Sequence, residues 1–296
     1  MRQAMIVRGN GMARVFALLL LWAFSAGHCL GAERVLTLSF GGEPHRFTAA
    51  ELLARPDATD LVVPNDSAYH REMTYRAVPL LGLLGTALKD GYNTIEARAS
   101  DGYVSQIPSE LVKKGAGGGA VAWIAVEDPA KPWAKLPDRD GSAGPFYLVW
   151  EGAERSAIGN ELWPFSLASL SGVEDPIRRW PQIAVDRSLA DDAPERKGQA
   201  VFIKNCMTCH RLDGAGEGEM GPDLGRPMSA VDYITERGLR AIIRNPKAVR
   251  SWPQQQMEGF SEAAISNAEL DALVTYLAYM GKRKSSGEAL PSQATP

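Results

Sequence analysis

The chain has 296 residues, 45% hydrophobic and 23% charged, with 29 Gly, 19 Pro and 3 Cys. That length suits about two domains of roughly 100–200 residues each. The composition excludes wholesale disorder, a collagen-like repeat and a disulfide-dense miniprotein. Thirty-two basic residues against 35 acidic give a net charge of −3, too even a balance to point to nucleic acid as a partner.

Arg2, Arg8 and Arg14 surround the approach to an apolar run, Val15 to Phe24, and small residues follow it before Glu33 and Arg34. A basic start, a short apolar stretch and small residues are the layout of a secretory signal peptide. The run is too short for a hydrocarbon core of about 30 Å, which takes roughly 20 residues in a helix. Residues 1–32 are therefore read as an export signal and the remainder as periplasmic. An uncleaved anchor is the competing reading, and lipidation of Cys29 fits poorly with His28 before it. Residues 1–32 hold three arginines and no acidic residue, so without them the charge is −6. Membrane association is expected only through an uncleaved signal or a partner.

In the next segment Leu36 to Phe40 alternates as a strand, turned back at Gly41 and Gly42. Thr48 to Ala54 suggests a short helix, Asp60 to Val63 a strand, and Pro79 to Leu88 a second helix. Tyr92 to Ser105, Val121 to Val126, Phe146 to Trp150 and Leu167 to Val173 read as strands, with Gly115 to Gly119 a flexible connection. Short strands with two small helices imply an α+β domain over residues 33–185, mostly β, with an antiparallel or mixed sheet. Its strings YRAVPLLGLL, ASDGYVSQIP and GPFYLVW resemble the fold of molybdopterin-binding oxidoreductases of the sulfite oxidase type, in truncated form. Those enzymes hold molybdenum through a protein cysteine, and residues 33–185 contain none. The resemblance thus implies a cofactor-free docking or scaffold domain. A domain that binds a molybdopterin-type cofactor or a substrate is the alternative. Asp101 and Tyr103 read either as the trace of a ligand pocket or as a turn with a buried aromatic.

Asp175 to Glu195, rich in charge and proline, reads as a linker packed on the first domain through Trp180 and Ile183. Beyond it, Gly198, Phe202 and Cys206 recur every four residues on one face of a helix expected over Pro194 to Asn205. The string CMTCH, Cys206 to His210, holds both remaining cysteines. Two cysteines three apart in an exported chain have three readings. A short disulfide or redox pair is one; half of a zinc site is weak, since His45 and His70 are distant. Covalent haem attachment is favoured by the histidine directly after the second cysteine. Two thiols at this spacing can add to the two vinyl groups on one porphyrin edge, and the adjacent imidazole can then reach the iron. The turn-rich GPDLG, Gly221 to Gly225, follows, then a helix over Ala230 to Arg244 with Leu239, Ile242 and Ile243 at helical spacing. Ser266 to Glu269 reads as a capping box, opening a helix with Leu270, Leu273, Val274 and Leu277 on its apolar face, closed by Gly281 and Lys282 to Lys284.

Residues from about 190 to 283 resemble a class I c-type cytochrome, so the expected fold class is two domains, α+β followed by an all-α cytochrome c fold over 186–283. The resemblance implies one covalent haem c on Cys206 and Cys209, with His210 as proximal ligand and the Pro222 carbonyl accepting from its other ring nitrogen. It also implies crosswise packing of the first and last helices, Gly198 and Phe202 against Tyr276 and Leu277. The family takes its sixth ligand from a Met on a loop before the last helix. Among Met220, Met228, Met257 and Met280, the loop position favours Met257, with Met228 or an open or His-ligated site as the alternatives, although Glu258 stands where the family usually has Pro. Trp252 and Arg250 are placed by the same likeness near the haem propionates.

His/Met ligation raises the haem potential and closes the iron to O₂, so the expected activity is single-electron transfer with no catalytic residue. The protein would be a periplasmic carrier, a subunit or partner of a respiratory dehydrogenase or oxidase chain, meeting a redox protein in the cell envelope. A haem sensor is a weaker third reading. Arg237, Arg240, Arg244 and Lys247 form a basic stripe, read as a docking face or simply a hydrated one. Residues 284–296 are expected to be a disordered tail.

Overall fold

The computed structural model describes residues 34–89, 91–137 and 139–286. The expected signal segment, Cys29 and the last ten residues lie outside the described residues. Among those described, no helix is long and apolar enough to cross a membrane.

The first half is mostly β and holds two sheets. One contains β1 (Val35–Ser39), β2 (His45–Thr48), β5 (Thr94–Ala99), β6 (Val104–Pro108) and β9 (Leu167–Val173), in the order β2-β1-β9-β5-β6. It is a mixed sheet: β1 and β9 run parallel, and the other pairs are antiparallel. The second sheet is antiparallel, in the order β3-β4-β7-β8, from β3 (Thr59–Val63), β4 (Met73–Pro79), β7 (Val121–Val126) and β8 (Phe146–Glu151). Helices α1 (Ala49–Leu53), α2 (Leu80–Leu84) and α3 (Ser109–Lys114) are single turns between strands. Thr48 and Glu51 close a reciprocal cap on α1, which satisfies backbone N–H groups that the first turn leaves unpaired.

Several boundaries differ from the sequence reading. The expected strand Tyr92 to Ser105 is two strands, because the chain folds back at 100–103 with Gly102 at φ +93°, a conformation that suits glycine. Met73 to Val78 is strand rather than the approach to a helix, with Met73, Tyr75 and Ala77 buried and Thr74 and Arg76 exposed. Strand β2 and helix α3 also lie where no element was expected. The Gly115 to Gly119 connection is a tight 3₁₀ turn, and Gly119 sits close against Lys114 and Ser156.

The second half is helical: α4 (Pro176–Arg179), α5 (Pro194–Val201), α6 (Ala230–Tyr233), α7 (Glu236–Arg244), α8 (Pro246–Val249) and α9 (Asn267–Ser286). It has a hydrophobic core of its own, separate from the core of the sheets. Ile183 and Val185 are buried in this second core with Trp180 packed against it, so these apolar residues pack on the helices rather than on the first half as expected. The linker meets the first half through polar contacts instead, Arg179 to Glu96 and Asn93 to Asp175. The apolar residues face the helices because of a polar anchor: the Ile183 carbonyl accepts from Tyr276 Oη at 2.7 Å and Gln199 Nε2 at 2.6 Å. Helix α9 runs two residues past the close expected over Gly281 and Lys282 to Lys284, to Ser286, and Gly281 lies inside it. That glycine is a contact point, where any β-carbon would crowd Ser229 Oγ and Val231.

Candidate functional site

The site starts at a helix crossing. Gly198 of α5 lies so close to α9 that a β-carbon would overlap the Ala272 carbonyl and come within 2.6 Å of Tyr276 Cβ. One turn on, the Phe202 and Tyr276 rings stand 5.7 Å apart, and Leu277 is buried in the same core. The crosswise packing therefore joins the residues expected for it.

Past this crossing the helix widens into a π-turn over Phe202–Cys206, a rare form frequent at functional sites. It shortens α5 relative to the expected helix and delivers Cys206 at its last residue. The N–H groups of Cys209 and His210 both donate to the Cys206 carbonyl, at 3.1 and 2.8 Å. This winds CMTCH into one compact turn carrying two free, half-buried thiols. Burial pushes the Cys206 thiol up to about 12, and Cys209 nearby adds to the rise. The Cys209 thiol is also raised, chiefly by burial, although the Thr208 hydroxyl works against it.

His210 Nδ1 lies 2.8 Å from the Pro222 carbonyl oxygen. A carbonyl only accepts, so Nδ1 carries the ring proton and Nε2 keeps its lone pair. Burial lowers the imidazole pKa, and the Pro222 bond and Asp223 oppose it; the net effect favours the neutral ring, the form that ligates metals. Gly221 lies against the ring face, where a β-carbon would overlap Cε1 and Nδ1. The loop that supplies Pro222 is wound on Asp223, a residue the sequence reading passed over. Its carboxylate accepts from the backbone N–H groups of Asp213, Gly214, Gly225 and Arg226 at 2.7–3.0 Å. The available signal was an Asp two residues before a Gly in a proline turn.

Met257 is half-buried on the segment between α8 and α9. Arg244 holds that segment, donating from Nη1 to the carbonyls of Phe260, Ser261 and Ile265, and from Nη2 to Asn267 Oδ1. Gly259 packs on the Arg244 backbone. The other methionines have different positions. Met280 is core, Met228 is half exposed, and Met220 Sδ lies 3.8 Å from Cys209 Sγ. Trp252 is 47% exposed beneath the Arg250 guanidinium, 5.4 Å from its ring centroid. Two members of the basic stripe have structural partners: Arg240 pairs with Glu236 and Asp271, and Arg244 holds the loop.

Cys206, Cys209, His210 and Pro222 thus form one cluster, and Met257 and Trp252 stand on a separate loop. The donor set fits a covalently held haem. Two free thiols flank a turn, an imidazole offers Nε2, and glycine leaves the ring room. Arg211 Nε, next to His210, and Gln255 Oε1, on the Met257 loop, are buried without a hydrogen-bond partner among the described residues. Residues 195–281 match the family model of cytochrome c. No curated protein matches the chain. The second half therefore contains a cytochrome c domain, which implies covalently bound haem c and haem-based electron transfer.

Proposed function

We propose that the protein is a periplasmic electron carrier with one haem, attached through Cys206 and Cys209 and ligated by His210 and Met257. It serves a redox protein of the cell envelope in a respiratory chain. The observation that carries this reading is the His210 Nδ1 contact to the Pro222 carbonyl, which fixes the tautomer and leaves Nε2 for iron. When bound, such a haem supplies a one-electron couple whose potential His/Met ligation raises. The residues of this chain do the rest. Gly221 lets the imidazole seat, Asp223 holds the loop beneath it, and Arg244 anchors the segment that presents Met257. Trp252 and Arg250 stand at the start of that segment, as a propionate environment would require. We read the first half as a cofactor-free relative of the sulfite oxidase type fold, serving as a scaffold.

Protein purified from a host competent in c-type maturation should contain one iron per chain and keep its pigment in acidified acetone; colourless material would end the proposal. Met257→Ala should open the sixth position, so that the reduced protein binds carbon monoxide and the midpoint potential falls. An unaltered spectrum would assign the sixth ligand elsewhere.

A further inference from the structure

The DGY turn between β5 and β6 belongs to the half read only as a scaffold, yet it touches the haem-attachment turn directly. The Val104 N–H donates to the carbonyl of Thr208, which lies between the two cysteines, at 3.0 Å. Gly102 accepts from the Glu219 N–H at 3.4 Å, and its α-carbon faces Glu219 and Met220. Thr208 and Met207, the two residues between the cysteines, are 2% and 1% exposed.

Charges lock the same contact from both sides. Arg98 of β5 pairs with Glu96 at 3.3 Å and with Glu217, seven residues beyond His210, at 3.2 Å. Arg179 bridges the same two carboxylates. On the other side Lys204 pairs with Glu161 at 3.3 Å, and the Glu161 carbonyl takes the hydroxyls of Tyr103 and Ser105, each at 2.8 Å. Isolated exposed pairs contribute little, but a part-buried network with main-chain bonds between its members holds a fixed geometry. At the tip, Asp101 pairs with Arg139 at 3.5 Å, and the Arg139 guanidinium stacks 4.9 Å from the Phe165 ring. Gly102, the neighbour of Asp101, faces Met220, whose Sδ lies 3.8 Å from Cys209 Sγ, so the pair stands at the Cys209 side of the turn.

We propose that the β half is a fixed cover on the haem-bearing turn, and that its Asp101–Arg139 pair sets the electrostatic field at the Cys209 side of the bound haem. The inference rests on haem attachment as proposed above and gives the first half a role without any cofactor of its own. Reduction adds one electron to the iron centre, so a nearby carboxylate opposes it and a nearby guanidinium favours it.

The test uses the full-length haem-loaded chain. Asp101→Asn should raise the midpoint potential and Arg139→Gln should lower it, with both shifts shrinking as salt is added. Potentials that stay put, or move in the same direction, overturn the inference. Glu217→Lys opposes Arg98 and Arg179 and should loosen the cover. Reduction by a small neutral hydroquinone should then be several-fold faster, and trypsin should cut within residues 174–195. Unchanged rate and unchanged protease resistance would also overturn it. A colourless chain removes the functional proposal itself, whereas a haem-bearing chain with unmoved potentials removes only the cover.

Discussion

Gly221 shows how much one missing atom decides. A β-carbon there would overlap the His210 ring, and forcing extra volume into a packed site typically costs about 1–3 kcal/mol. Gly221→Ala should therefore lower the melting temperature and the fraction of chains that carry haem; wild-type values for both would show that the ring has room. Asp66, in the first half, makes a different demand. It is 2% exposed and accepts from Tyr75 Oη and the N–H groups of Ala68 and Tyr69. Burial nevertheless outweighs these bonds and raises its pKa above the ordinary 3.8. The native state then binds this proton more tightly than the unfolded chain. Its contribution to stability is full below about 3.8 and is lost as pH rises through the raised value. Asp66→Asn should flatten the stability profile over that window, and identical slopes in both proteins would refute the assignment. The CMTCH turn was legible because its chemistry depends on spacing, and Pro222 because the resemblance to c-type cytochromes implied its place. Asp223 and Arg244 were not, because each acts by collecting backbone groups that only the folded loops bring together.

Among the elements, α9 carries the clearest signature. Ser266 and Glu269 cap it reciprocally: the Ser266 N–H donates to Glu269 Oε2 at 2.8 Å, and the Glu269 N–H to Ser266 Oγ at 3.3 Å. Loss of such a cap typically costs about 1 kcal/mol. Ser266→Ala should lower the melting temperature accordingly and, because this cap ends the Arg244-held segment, raise the affinity of the reduced protein for carbon monoxide. A variant with unchanged stability would place the helix start elsewhere. Helical spacing and the capping string were enough to locate this element from sequence. The strands were harder. The run from Tyr92 to Ser105 was read as one strand even though Asp101 and Tyr103 also read as a turn, and the positive φ of Gly102 shows that turn to be the fold-back. Met73 to Pro79 alternated plainly, but Pro79 and the leucines after it drew attention to the helix instead. The π-turn at Phe202 has no sequence signature, since its residues suit an ordinary helix equally well.

Across the whole molecule, two hydrophobic cores sit within one compact unit from Arg34 onward. Composition and length pointed to two parts, and the helical one was identifiable from its motif. The contact between them was not, because Glu96, Arg98, Glu161 and Glu217 are ordinary surface residues until the chain folds. Val104 and the Glu217 network tie the cores together, so the haem-loaded chain should melt in one transition, with haem absorbance and far-ultraviolet dichroism changing together. Two separated transitions would show the halves to be thermodynamically independent.

The main-chain bond from Val104 also bears on how the chain behaves before it is complete. Strand β6 is the outermost member of its sheet, and an uncovered outer strand is a template on which a foreign strand can grow. The Thr208 carbonyl occupies one of its outward N–H groups, and that carbonyl belongs to a turn that porphyrin ligation would rigidify. A polypeptide that misses its pigment would leave this rim less well guarded. Its characteristic failure would then be self-association through β-ladders rather than a soluble, merely inactive product.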